Sequence, residues 1–254
     1  MTGPGTNTIV LGGGEEGALV IDPAVDDSTY LDAIIQAGAE RGGIRRILIT
    51  HGHPDHIGGV EALRKRLGVS IYAFSRQGVP FADEEVADGA IIPAGDDTLQ
   101  ALHTPGHRFD HLSFLMEKQR TLFAGDLISG ITTNVIAPPE GDMLDYLNSL
   151  KRLQEVEISE IVPAHGPTIT DAQAKISEYI QHRMLREQQV IQALEVLPPG
   201  ATIPEMVPQI YVDVDPKLYA IAAWSVEAHL IKLEREGLVE KLEHDRWALV
   251  RPTA

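Results

Sequence analysis

Short apolar runs bounded by glycine and proline dominate the first two thirds of the chain, and longer helical periodicities take over near residue 171. Residues 6–11 and 17–22 are two such runs around the glycine-rich 12–16 stretch, the pattern of a β-hairpin. Ser28 is placed to cap a helix through Tyr30, Leu31, Ile34 and Ile35 that stops at Gly42-Gly43. Residues 46–49 read as a strand, Val60–Leu67 as a helix opened by Gly58-Gly59, and Ser70–Ala73 as a strand. Further strands are expected over 90–92 and 98–102, across a 93–97 turn, and a hairpin over 111–116 and 121–123. Leu144, Leu147, Leu150 and Leu153 recur every third position within 142–155 and predict an amphipathic helix, followed by a strand over 158–162. Residues 171–196 read as one long helix, broken by Pro198-Pro199-Gly200.

After the break come short helices over 203–211 and 216–224, a helix over 225–236 stopped by Gly237, and a hairpin of 238–242 with 246–250. That is the order of a winged-helix module. The boundary therefore falls in the long helix, with a first domain over residues 1–172 and a linking helix plus winged-helix-like domain over 173–254. The first domain is of mixed α/β (α+β) class, and its strands with interspersed helices suggest a layered sandwich with helices outside.

Four of the expected strands finish on metal-ligand residues beside glycine or proline. The 46–49 strand runs into Thr50-His51-Gly52-His53-Pro54-Asp55-His56, the 98–102 strand into Thr104-Pro105-Gly106-His107, the 121–123 strand into Ala124-Gly125-Asp126, and the 158–162 strand into Pro163-Ala164-His165-Gly166. Imidazole and carboxylate together suit zinc, iron or manganese. Each residue alone has a plain reading as a turn residue; the matched strand-end positions are what join them.

Composition narrows the chemistry. The 254 residues contain no cysteine, which excludes disulfides and thiolate ligands, so a metal must be held by nitrogen and oxygen. A hydrophobic share of 43% gives mass for a real core, no run approaches a membrane span, and the start lacks an export signal, so a cytoplasmic protein is expected. The net charge of -16 argues against a broad basic surface for duplex nucleic acid and leaves room for bound cations.

The ligands divide into His51, His53 and His107 for one ion and Asp55, His56 and His165 for a second, with Asp126 bridging. Two divalent metal ions are expected; zinc is the first choice, and iron and manganese are compatible. Ions about 3.5–4 Å apart share a hydroxide that attacks an ester, thioester, lactam or phosphodiester centre without a serine or cysteine nucleophile. Asp55 is the expected catalytic residue, able both to ligate and to orient the hydroxide. His103 is expected to pack beside its strand, His111 to support a ligand, and His229 and His244 to lie on the surface.

With these motifs in order, the chain resembles the metallo-beta-lactamase superfamily of hydrolases. The resemblance implies an αββα sandwich with the ligands on one edge of its two sheets. His53 in place of glutamate separates the chain from the di-iron flavoproteins, the filled second site from the single-iron persulfide dioxygenases, and the missing cysteine and export signal from secreted beta-lactamases. It is most similar to the beta-lactamase-like branch that includes a mitochondrial single-strand endoribonuclease. That likeness rests on the 2–8 segment, Pro138-Pro139-Glu140-Gly141-Asp142-Met143 with 146–150, His182-Arg183, 186–188 and the winged-helix tail. Members usually place a further strand before the 2–8 segment, where this chain begins, so a short sheet edge or a truncated chain is expected. Arg108-Phe109-Asp110 also departs from the smaller residues common there, and Phe109 is expected at the pocket mouth.

The resemblance implies phosphodiester hydrolysis of single-stranded RNA, with Tyr146, His182 and Arg183 touching phosphate or bases. The other reading is a small-molecule hydrolase of esters, thioesters, lactones or phosphotriesters, with weak beta-lactamase activity among its side reactions. The tail helix sets Glu227, Glu234 and Glu236 against Lys232 and Arg235, a poor phosphate-binding face, which leaves packing or homodimerisation as its expected role.

Overall fold

The computed structural model describes residues 5–197 and 200–250. Positions 2–4 of the resembling N-terminal segment and the Pro198-Pro199 break lie outside the described residues.

The first sheet is built from β1 (Ile9–Gly12), β2 (Ala18–Ile21), β3 (Ile44–Leu48), β4 (Ser70–Ala73) and β5 (Glu84–Glu85), side by side in that order. Helices α1 (Ser28–Ala39), α2 (Pro54–Ile57) and α3 (Val60–Leu67) connect them. The second sheet contains β6 (Ile91–Ala94), β7 (Asp97–His103), β8 (Leu112–Met116), β9 (Thr121–Gly125) and, after α4 (Met143–Gln154), β10 (Glu160–Pro163), in the order β10-β9-β8-β7-β6. Then come α5 (Ala172–Val196), β11 (Ala201–Thr202), α6 (Ile203–Ile210), α7 (Tyr219–Arg235), β12 (Val239–Lys241) and β13 (Arg246–Leu249). The last three strands form a small sheet ordered β11-β13-β12.

Side-chain alternation explains the layers. Leu19 and Ile21 of β2 meet Leu99, Leu112, Phe114 and Phe123 of the opposite sheet, while Ala18 and Val20 face α1 and α3 through Leu31, Ile34, Val60 and Leu63. The outer face of the second sheet, with Leu115, Leu122 and Ile161, packs on Leu147, Leu150 and Leu153 of α4 and on Ile176 and Tyr179 of α5. Strands β2, β8 and β9 are buried along their whole length, which is why they are apolar apart from Ser113 and Thr121. The expected αββα sandwich is the observed one.

Three expectations change in detail. Asp27, not Ser28, caps α1, its carboxylate accepting from Tyr30 N. The expected pair of helices over 216–224 and 225–236 is the single helix α7 after a 3-10 turn at Pro216–Leu218; no glycine or proline interrupts 219–235, and Ser225 lies on the buried face. His229, expected on the surface, is buried at the seam between α5 and α7. No helix among the described residues is long and apolar enough to cross a membrane.

Helix α5 serves two cores. Its first half packs on the sandwich, and Val190, Ala193 and Leu194 of its second half pack with Met206, Val226, Leu230 and Trp247 of the tail.

Candidate metal centre

The strand ends converge on one rim. After β3 the chain bends at Thr50 and passes His51 to an extended His53, and Pro54 opens the single-turn α2 that presents Asp55 and His56. Pro105-Gly106 turns His107 inward; Gly106 has φ +130°, and a side chain there would overlap the Tyr146 backbone at the start of α4. Gly125 has φ +53°, and a Cβ there would sit 2.5 Å from His111 Nε2, so only glycine delivers Asp126 past that ring.

Seven side chains gather as two groups. His53 Nδ1 lies 2.8 Å from His51 Nε2 and 3.0 Å from His107 Nε2. In the second group, Asp55 Oδ2 is 3.5 Å from His165 Nε2 and 3.9 Å from His56 Nε2. Asp126 spans both, with Oδ2 3.4 Å from His107 and Oδ1 3.2 Å from His165 and 3.7 Å from His56. In each group the donor atoms fall within 4.8 Å of one another.

The outward ring nitrogens show that this donor set fits a cation. Nδ1 of His107 bonds the Val135 carbonyl at 2.9 Å, Nδ1 of His165 the Gly5 carbonyl at 3.1 Å, and Nδ1 of His56 the Asp22 carboxylate at 2.8 Å. These partners only accept, so each Nδ1 holds the proton and, in the neutral ring, each Nε2 turns a lone pair to the centre. His56 Nε2 and Asp126 Oδ1 are buried there with no hydrogen-bond partner. Lone pairs facing a carboxylate in a buried site require a cation or a proton between them. Tetrahedral zinc with bonds of roughly 2.0–2.1 Å holds its ligand atoms at separations of this order.

Burial, reinforced by the neighbouring His56 and His107, pushes His51 well below the ordinary histidine range. Burial likewise lowers His53 to about 4, helped by His107 and Arg108, and lowers His107. All three favour the neutral, ligating form. For His56 burial is outweighed by Asp22 and Asp126, which lift it to about 10, so a proton competes with a cation for its Nε2. Burial of Asp126 is outweighed by the facing His165 and His56 rings, which hold it well below the usual carboxylate range.

Supporting residues surround the ligands. His111 bonds Thr104 Oγ1 through Nδ1 at 2.9 Å and accepts from Asp126 N at 2.9 Å through Nε2. His103 stacks on Phe74 and bonds the Phe109 carbonyl. Asp22 and Asn134 escaped the sequence reading. Asp22 accepts from Thr50 N, Thr50 Oγ1 and His56; its signal was a carboxylate ending the apolar run of β2 before Pro23, the cue that marked Asp126. Asn134 donates to the Asp126 carbonyl and has no comparable signal.

A cavity of about 270 Å³ opens over the centre, lined by His53, Asp55, His107, Asp126, His165 and residues 132–135. The expected substrate contacts do not reach it. Tyr146 is 0% exposed and spends its hydroxyl on the Leu127 carbonyl. Arg183 is 2% exposed, lies over the Tyr146 ring and donates to the Asn134 carbonyl. His182 is half-buried on α5, and burial, with Arg183 and Arg186 nearby, lowers it to about 4, so it carries no charge. Phe109 packs against Arg108 outside the cavity lining. Arg108 itself is held by Asp110 and Glu140. A roomier hollow of about 790 Å³ beside Gly12, Gly13 and Gly14 contains none of the ligand residues.

Comparison with known proteins agrees with this architecture. Residues 1–165 match the metallo-beta-lactamase superfamily and residues 202–247 the beta-lactamase associated winged helix domain. The chain is 34% identical to a beta-lactamase-like protein 2 homolog of Caenorhabditis elegans, over 93% of this chain and 81% of that one. It is 37% identical to the atrochrysone carboxyl ACP thioesterase of Aspergillus chevalieri, over 75% of this chain and 60% of that one. A metallo-beta-lactamase family protein of Thermus thermophilus has the same fold, with a TM-score of 0.78 at 21% identity over 96% of this chain and 94% of that one. Sandwich, strand-end ligands and winged-helix tail thus occur together, and the chain belongs to the metallo-beta-lactamase superfamily, as a hydrolase with a candidate metal centre.

Proposed function

We propose that this hydrolase cleaves small acyl esters or thioesters at a centre of two divalent cations. The observation that carries the substrate class is the cavity wall: no lysine or arginine lines it, and the nearby Arg108 and Arg183 are already paired. Beyond the two cations, a polyanion entering this site meets no side-chain countercharge, in a chain of net charge -16. Single-strand binders combine a basic groove with exposed aromatic platforms, and Tyr146 offers no exposed face. The relative named as an acyl carrier protein thioesterase supports the same class.

Bound at the two groups, divalent cations supply Lewis acidity and bring the pKa of water toward roughly 7. The chain's residues do the rest. Asp55, 41% exposed at the cavity mouth, is placed to orient a water and take its proton on Oδ1 or Oδ2. Asp22, Val135 and Gly5 fix the histidine tautomers, and Thr132, Thr133 and Asn134 furnish polar contacts that orient an acyl group.

The test sets metal-loaded protein against a panel of short acyl esters and thioesters, and against a labelled single-stranded RNA. Acyl hydrolysis is expected, falling about 10²–10⁴-fold in Asp55→Ala, with the RNA intact. RNA cleavage lost in Asp55→Ala, without acyl turnover, overturns the acyl reading in favour of a ribonuclease. RNA cleavage that survives the substitution comes from a contaminant.

A further inference from the structure

Residues 132–135 of the 129–135 segment form one wall of the cavity, and α5 holds the segment from behind. Tyr179 Oη accepts from Ser129 N at 2.9 Å and lies 3.0 and 2.8 Å from the carbonyl oxygens of Ser129 and Thr132. One turn further along α5, Arg183 Nη2 donates to the Asn134 carbonyl oxygen. The segment then reaches forward to both halves of the centre. Asn134 Nδ2 donates to the Asp126 carbonyl, and the Val135 carbonyl accepts the Nδ1 proton of His107. Tyr179 and Arg183 are both buried, and neither lines the cavity. Burying a guanidinium costs desolvation that an apolar side chain of similar size avoids, so packing alone does not account for Arg183.

We propose that Tyr179 and Arg183 are positioning residues of the metal centre, acting through the 129–135 segment on Asp126 and His107. Partners behind a ligand set its tautomer and ring orientation, and their loss typically weakens metal binding 10- to 100-fold. The proposal rests on the two-cation reading of the centre and not on the choice of acyl substrate. Because α5 continues into the core of the tail, one helix ties the winged-helix module to the wall of the cavity.

The test is Zn2+ affinity by chelator competition on the full-length chain, which needs no substrate. Arg183→Met and Tyr179→Phe are compared with Arg186→Met, whose guanidinium faces the tail over Tyr211 and bonds the Ile210 carbonyl. Arg183→Met and Tyr179→Phe are expected to bind Zn2+ about 10- to 100-fold more weakly. Arg183→Lys should recover most of the loss, and Arg186→Met should bind as wild type whatever its Tm. If Arg183→Met does not fold, Tyr179→Phe, which removes one oxygen, decides. Wild-type affinity in Arg183→Met and Tyr179→Phe, or an equal loss in Arg186→Met, overturns the proposal. Asp126→Ala separates the two readings: if it alone loses affinity the strap is wrong and the centre stands, and if it binds as wild type the two-cation centre itself falls.

Discussion

Asp22 sits at φ 50°, in the left-handed region that aspartate tolerates better than most residues, and is 1% exposed behind the ligands. Its carboxylate ties Thr50 N and Oγ1 to the Nδ1 proton of His56, so it fixes both the turn after β3 and the tautomer of a ligand. Asp22→Asn keeps the shape but offers one acceptor oxygen for three donors. Zn2+ affinity measured by chelator competition should drop about 10- to 100-fold, and urea unfolding should show a loss of about 1–3 kcal/mol; an unchanged affinity would show that His56 needs no such orienter. The seven gathered side chains were legible in the sequence because they follow the ends of four apolar runs, beside glycine or proline. The Val135 and Gly5 carbonyls were not, since a backbone acceptor leaves no mark in residue type. Tyr146 and Arg183 were expected at the substrate through the resemblance, yet their spacing already placed them inward. Tyr146 falls with Met143, Leu147 and Leu150 on the buried face of α4, and Arg183 with Ile176, Tyr179 and Val190 on that of α5.

Among the elements, the doubly buried strands and the leucine-striped α4 announced themselves through period and length. Strand β5 did not: Glu84 and Glu85 are exposed and pair with Tyr72 and Ala73 through backbone groups alone. The helices expected over 216–224 and 225–236 are one, because the alanines at 220, 222 and 223 carry the helix through Ser225. Four strand ends on one rim explain why ligands distant in sequence meet. Strands β3 and β9 lie in different sheets, and only the face-to-face packing of those sheets brings His51 within reach of Asp126. That packing is a tertiary fact with no local trace.

At the scale of the molecule, a buried polar seam joins the sandwich-spanning α5 to the tail. Glu187 accepts from Lys232 Nζ at 2.9 Å and lies 3.4 Å from His229 Nδ1, with Glu236 also on Lys232. Burial of Glu187 is outweighed by bonds from His229 and Lys232, which lower it from the ordinary 4.5; burial lowers His229 from 6.5 against the pull of Glu187. Both folded-state values lie below the unfolded ones, so their stabilisation is complete above about pH 7 and is lost as pH falls through the folded values. Lys232 is raised, burial being outweighed by Glu187 and Glu236, so its share is present below 10.5 and lost only as pH rises above that. Glu187→Gln should cost about 3 kcal/mol near pH 7.5, roughly 6–12 °C in Tm, and the gap to wild type should narrow only as pH falls below the ordinary 4.5 of glutamate, through the lowered value of Glu187. A gap that stays constant with pH would contradict the charged seam. The centre itself is tested most directly by counting divalent metal per chain while following acyl hydrolysis through chelation and reconstitution. Two equivalents per chain are expected, with hydrolysis lost on their removal and restored on their return; a metal-free chain that keeps full hydrolytic activity would contradict the two-cation centre.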